Sequence, residues 1–410
     1  MLIEIILTNK KLAFELANFE LQMSAFVIAD NIISPLGFSS SENFEQLKQM
    51  KTGVQRIENT PLSVEPVCAA IINSEKLNTE FEKLNAKADY TRLEKMAILS
   101  INDCLKQNTT IDVTSKKTLL VLSTTKGNID LLDPSLANKF DKKRVYLWKT
   151  ATIISNYFQN TNQPVVVSNA CISGVLAIII AKRLLENNQY DTIIVCGVDI
   201  MTPFVVSGFQ SFKAISNEVA KPYDAKRDGI SLGEGCGTVV LSNKESSFKN
   251  QVSRIVVKGG ASSNDANHIS GPSRTGDGLF LAIDKTLKES NVQASEVDYI
   301  SGHGTATIYN DDMESIAITD AKLASVPMNS LKSYFGHTLG AAGVIESIIG
   351  LQSMRENTLI GTYNFTELGV TMPINIIKNT QSAQVNNCLK TSAGFGGCNA
   401  AVFFQKVETN

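Results

Sequence analysis

The chain has 410 residues, of which 43% are hydrophobic and 19% charged, and its 38 Lys+Arg against 40 Asp+Glu leave a net charge of −2. That composition excludes a disordered chain, which combines high charge with little apolar surface, and it lacks the basic excess of a nucleic-acid binder. The length suits one large domain or two fused halves, either able to bury a sizeable core.

Met1 to Gln22 reads as a charged, helix-like extension, with Met23 an alternative start of translation. Residues 1–23 are therefore set apart from a first half, 24–245, and a second half, 246–410. No basic region leading into an apolar core and a small-residue cleavage site marks a secretory signal. In the first half, Ser24–Asp30 predicts a strand closed by a turn at Ser34-Pro-Leu-Gly37. Thr118–Ser123, Val165–Val167, Thr192–Cys196 and Thr238–Leu241 are short β-branched runs that suit strands covered on both faces. The longest uncharged stretch, Ala151 to Ala181, carries Asn160, Asn162, Gln163, Pro164 and Asn169, so it predicts no membrane span. Its last part, with the residues up to Leu185, predicts a helix buried on all sides. After the polar break Asn243–Gln251, strands are predicted at Ile255–Val257, Tyr299–Ser301 and Ala401–Phe404. Helices are predicted near Gly278–Ser290, Met313–Ala324 and Leu339–Met354. Strands alternating with helices in both parts imply α/β architecture built from βαβ units.

The seven cysteines include no CxxC pair, and an odd count suits a reducing, cytoplasmic setting better than a disulfide framework. One of them stands out. Val165-Val-Val-Ser-Asn-Ala-Cys171-Ile-Ser-Gly174 runs from strand through turn into the apolar helix, placing Cys171 at the first helical turn. There the helix dipole is expected to lower the thiol pKa and free backbone N–H groups to stabilise an oxyanion. A buried structural cysteine is the alternative, and it is the reading adopted for Cys68, Cys104, Cys196, Cys236 and Cys388.

Of three histidines, two lie in glycine-flanked loops, Gly302-His303-Gly304-Thr-Ala-Thr307 and Gly336-His337-Thr-Leu-Gly-Ala-Ala-Gly343. Glycine lets substrate and backbone approach closely, and a Cys with distant His partners is an arrangement for nucleophilic catalysis. A metal centre competes, but no cluster supplies further ligands and none is assigned. Two other glycine-rich segments, Pro222–Gly237 and Ser392–Gly397, do not open helices as phosphate loops do, and read as tight turns. In the second, Phe395 among glycines reads as a mobile aromatic facing a cavity, with a plain turn plug as the alternative.

Together these pieces resemble the β-ketoacyl-acyl carrier protein synthases of the thiolase superfamily, the elongating type with a Cys-His-His site. The resemblance runs from about Ser24 to Phe404 and is weak only from Ser123 to Lys149. It rests on Asn169–Gly174, Pro222–Gly237, Gly302–Thr307 with Asn310, Asp311 and Glu314, Asn329–Lys332, Gly336–Gly343 with Glu346, and Gly394–Gly397. It implies a duplicated thiolase-like fold, layered αβαβα, and a homodimer or a heterodimer with a second ketosynthase-like chain. Cys171 would take an acyl group from acyl carrier protein, and His303 and His337 would promote decarboxylation of malonyl-carrier protein. Lys332 and Glu346 would order the histidines. The N–H groups of Cys171 and Phe395 would form the oxyanion hole, with Phe395 also gating the acyl pocket. Thr305 and Thr307 would hold the phosphopantetheine arm that brings the substrates, with no other cofactor, and Phe209 would line its channel. His268 is expected to be structural, near the channel mouth.

Two residues depart from the pattern. Ile172 replaces a small residue and is expected to narrow the pocket beside Cys171; Cys398 is read as a bystander. The basic run Lys139, Lys142, Lys143, Arg144 and Lys149 is expected to dock the acidic carrier. A non-condensing chain-length partner and a biosynthetic thiolase are the rival readings.

Overall fold

The computed structural model describes residues 25–136, 139–248, 254–268 and 271–407. The extension at 1–23 and residues 249–253 of the polar break lie outside the described residues.

The β-branched runs pair into one mixed ten-stranded sheet whose order contains a repeat. Outward from Ala25–Ile33 come Gly235–Ser242, Thr192–Asp199, Thr118–Ser123 and Val165–Val167. Outward the other way from Arg254–Asn264 come Cys398–Val407, Asn387–Gly394, Tyr299–Ser301 and Met328–Asn329. In both directions the successive pairings are antiparallel, antiparallel, parallel, parallel. Among the described residues, the two five-stranded units join in the sheet through Ala25 and Phe26 opposite Val257 and Val256. The same unit therefore occurs twice.

The layers follow from which helix faces are apolar. Ser173–Glu186 and Ala342–Glu356 pack on each other and on strands of both units. Val175, Ile178, Val344 and Ile348 join Val121, Val195, Val402 and Phe404 in the central core. Arg92–Gln107, whose start is fixed by a Thr91/Glu94 capping box, covers the outer face of the first unit. Asp277–Ser290 and Ile308–Asp320 cover that of the second. The result is the expected αβαβα stack. No described helix is long and apolar enough to cross a membrane.

The central helices touch backbone to backbone. A Cβ added at Gly174 would lie 2.7 Å from the backbone N of Val344, and one at Gly343 would collide with that of Val175. Gly343→Ala is thus expected to lose about 3 kcal/mol of stability, because neither backbone can yield without moving its sheet. A chemical-denaturation midpoint equal to that of the parent protein would contradict this.

Two boundaries differ from expectation. The last central helix starts at Ala342, not Leu339, because Leu339 is left-handed (φ 52) and Leu339–Ala341 forms a 3-10 turn. The helix expected from Met313 starts at Ile308, since Asp311 and Glu314 in its first turns are needed to hold the preceding loop.

Candidate active site

Cys171 follows the edge strand Val165–Val167, and Ile172 caps the buried helix that begins at Ser173. The turn is sharp: Ala170 is left-handed (φ 43), a conformation that costs a non-glycine residue about 1 kcal/mol or more. Ser173 compensates. Its hydroxyl accepts from Asn169 N at 2.8 Å and donates to Ala170 O at 2.6 Å. The second unit reaches over as well, with Ser392 Oγ donating to Cys171 O at 3.1 Å. A Cβ at Gly394 would stand 3.0 Å from Cys171 N, so the Phe395 loop lies against the backbone of Cys171.

The expected depression of the thiol pKa is overturned. Burial pushes Cys171 up to about 12, with Cys398 adding and Lys332 opposing. Desolvation of a thiolate outweighs the single helix end, so the sulfur keeps its proton at neutral pH and requires a base to become a nucleophile.

His303 follows the strand Tyr299–Ser301. Glu314 fixes its loop by accepting from His303 N and Gly304 N, each at 2.8 Å, while Asp311 accepts from Thr305 N at 2.9 Å and Ala306 N at 3.1 Å. Tyr223 ties both carboxylates together, giving its N–H to Asp311 and its hydroxyl to Glu314, each at 2.8 Å. It does so from a left-handed backbone (φ 62), an outlier for so large a residue. The sequence placed Asp311, Glu314 and Tyr223 in motifs but did not show that Tyr223 bridges the two carboxylates.

His337 is held by backbone. Its N–H donates to Ser231 O at 2.7 Å and its carbonyl accepts from Gly233 N at 3.1 Å. A side chain at Gly233 or Gly336 (φ 66) would run into the carbonyl of Phe335 or Leu232. The Pro222–Gly237 segment, expected as plain turns, is the bed on which His337 rests.

The two imidazoles stand edge to face, ring centroids 5.4 Å apart at 83°. Nδ1 of His303 and both ring nitrogens of His337 are buried without a protein hydrogen-bond partner. Both rings line one cavity of about 320 Å³ together with Cys171, Thr305, Thr307 and Phe209, and Phe395 also lines it. Sulfur and both imidazoles, distant along the chain, thus share one space. Behind them Lys332 is ion-paired with Glu346, both buried. Burial, followed by Lys332, drives both histidines well below 6.5, so they are neutral at physiological pH.

This has a consequence for stability. The unfolded chain takes up protons on these histidines as pH falls through about 6.5, whereas the folded chain does not. Stability is therefore full above that pH and is expected to fall below it by about 1.4 kcal/mol per pH unit for each imidazole. Denaturation midpoints at pH 7.5 and 5.5 measure this, and a His303→Asn/His337→Asn protein should show a flatter slope; equal slopes would contradict it.

At the mouth, Phe395 packs 5.7 Å from Phe209 and 5.3 Å from Phe212, and is 38% exposed. The hydroxyls of Thr305 and Thr307 lie 2.8 Å apart on the cavity wall. His268 is exposed and accepts from Gly271 N at 3.2 Å, next to Gly271 and Pro272 of the cavity rim. The expectations for Ile172 and Arg144 need correction. Ile172 packs into the central core at 1% exposure and is not among the cavity-lining residues, so it does not narrow the pocket. Cys398, expected as a bystander, donates its thiol to Phe395 O at 3.3 Å and is not among the cavity-lining residues. Arg144 is no free docking cation, being paired with buried Glu94 at 3.0 Å and stacked on Phe140; Lys142 and Lys143 are exposed.

A duplicated five-stranded unit sandwiching two helices, with a Cys and two His converging at its centre, defines a condensing enzyme of the thiolase-like class. Solved structures agree on the fold. The ishigamide ketosynthase/chain length factor matches at TM-score 0.85 and 23% identity, covering 94% of this chain and 99% of that one. The ketosynthase ApeO with its chain length factor ApeC from Xenorhabdus doucetiae matches at TM-score 0.80 and 22% identity, covering 94% and 98%. The family model for the β-ketoacyl synthase N-terminal domain matches residues 27–247 and that for the C-terminal domain residues 254–366. The chain belongs to the β-ketoacyl synthase family. It is 29% identical to a putative mitochondrial 3-oxoacyl-[acyl-carrier-protein] synthase of Schizosaccharomyces pombe, over 91% of this chain and 97% of that protein. It is 33% identical to 3-oxoacyl-[acyl-carrier-protein] synthase 2 of Rhizobium meliloti, over 58% and 60%.

Proposed function

We propose that the protein joins an acyl group held on Cys171 to a malonyl unit delivered on acyl carrier protein, releasing carbon dioxide and a β-ketoacyl-carrier thioester. The observation that carries this reading is the set of orphaned imidazole nitrogens lining the cavity that holds the Cys171 thiol.

In the first half-reaction a neutral imidazole takes the Cys171 proton as sulfur attacks the acyl thioester, and the carrier's thiol leaves with a proton. The N–H groups of Cys171 and Phe395 receive the oxyanion. In the second, His303 and His337 donate N–H to the malonyl thioester oxygen while carbon dioxide departs, and the resulting carbanion attacks the acyl carbonyl and expels the Cys171 thiolate. Neutral imidazoles suit this step. An imidazolium would pair with the malonyl carboxylate and stabilise the ground state instead. Thr305 and Thr307 hold the pantetheine arm, and Phe395, flanked by Phe209, admits it.

The product belongs to fatty acid or polyketide, including polyene, synthesis. Pairing with a second copy or with a ketosynthase-like partner is supported by the two neighbours that are complexes with chain length factors, and by the uncovered edge of the strand Val165–Val167. Lys139, Lys142 and Lys143, all exposed, remain as carrier-docking cations, with Lys149 half-buried beside them. Seven free, buried cysteines fit a reducing compartment such as the cytoplasm. Incubation with acyl- and malonyl-carrier protein, followed by mass spectrometry, tests the reading: a β-ketoacyl-carrier product supports it, and acetyl-CoA serving as the two-carbon donor without malonyl would replace it with thiolase chemistry.

A further inference from the structure

We propose that Lys390 is a second positioning cation of this site, which locks the His303 loop and holds a second fixed ammonium beside the two imidazoles during decarboxylation. The inference rests on the decarboxylative reading above. Lys390 is fully buried on the strand Asn387–Gly394, in register with Ser301 of the neighbouring strand. Its ammonium lies 2.8 Å from Oε2 of Glu346, whose other oxygen is taken by Lys332. It also donates to Gly302 O at 2.9 Å, Ser301 O at 3.1 Å and Thr391 O at 2.6 Å, so it grips the two residues that precede His303.

One lysine is enough to neutralise Glu346; Lys390 adds a second cation, which also acts with the buried Glu314 carboxylate beside it. Glu314 and Asp311 direct their oxygens at backbone N–H groups of the His303 loop, at Tyr223 and at Thr391. Tyr223 and Cys171 are held in their neutral forms, burial pushing both upward. Burying an ammonium is costly unless it is paired and fully hydrogen-bonded, and a purely structural pair would need only Lys332. A fixed positive charge in a low-dielectric pocket is useful where negative charge develops, as it does when malonyl becomes an enolate at the imidazoles. Burial, then Lys332, and also Lys390 keep His303 and His337 unprotonated.

The test separates the half-reactions in Lys390→Met, near-isosteric and uncharged, and Lys390→Gln, which keeps a donor for the carbonyls. Decarboxylation of malonyl-carrier protein is expected to fall about ten- to a hundredfold in both, while acylation of Cys171 changes less than about threefold. Imidazole NMR titrations should move upward in Lys390→Gln. Loss of both half-reactions together, or unmoved histidine titrations, would overturn the proposal. Should neither variant fold, Lys390→Arg, which keeps the cation, decides: decarboxylation within about fivefold of the parent supports the proposal, and a loss of about a hundredfold overturns it. A parent protein that releases no carbon dioxide from malonyl-carrier would defeat the decarboxylative reading itself, whereas parent activity retained in Lys390→Met and Lys390→Gln defeats only the role of Lys390.

Discussion

Cys171→Ala is expected to abolish the acyl-enzyme and to reduce condensation by about 10⁴-fold or more, since no other group in the cavity can replace the attacking atom. The same variant should still release carbon dioxide from malonyl-carrier protein. Its imidazoles are carried by loops anchored through Glu314, Asp311 and the Ser231–Gly233 backbone, none of which involves the thiol. Mass spectrometry of the intact protein after exposure to acyl-carrier checks the first part and a carbon dioxide assay the second. Condensation surviving in Cys171→Ala would mean that Cys398 or another thiol is the nucleophile.

The second large effect concerns the histidines. His303→Ala and His337→Ala are each expected to lower malonyl decarboxylation by about 10²- to 10³-fold, the loss associated with removing one oxyanion donor from a dry site. Their effects on acylation should diverge. Only the imidazole that accepts the Cys171 proton matters there, because the thiol, pushed up to about 12 by burial, does not ionise unaided. The other variant should acylate within a few-fold of the parent rate. Equal losses in both half-reactions for both variants would show that the pair acts as a single structural unit, contrary to the division of labour argued here.

How much of this was legible beforehand follows the reach of each physical signal. Strands such as Thr118–Ser123, Val165–Val167 and Tyr299–Ser301 coincide with their predicted runs, because a strand covered on both faces must be apolar throughout. The glycines at 174 and 343 mark helix contacts, yet only the fold reveals that they face each other. Cys171, His303 and His337 were legible as a group because each sits beside glycine or at a strand-to-helix turn, where side chains are not needed for packing. Lys390 was not. It lies inside a buried strand, and its partners come from residues 301–302 and 346, so no local spacing announces it. The bridging role of Tyr223 escaped for the same reason, its carboxylate partners being 88 and 91 residues away. The thiol pKa was misjudged because a helix end is visible in sequence whereas burial is not. Ile172 was misplaced because a helix cap's neighbours depend on the rotation of the helix, and here its side chain turns to the core.

The most direct measurement of the central claim is a single-turnover experiment with Cys171 pre-acylated and malonyl-carrier protein labelled with ¹³C at the free carboxyl. One labelled carbon dioxide released for each β-ketoacyl-carrier formed, with Cys171 returned to the free thiol, is the result expected if sulfur and both imidazoles serve one reaction in one cavity. Label retained in the product, or carbon dioxide released with the acyl group still on Cys171, would contradict it.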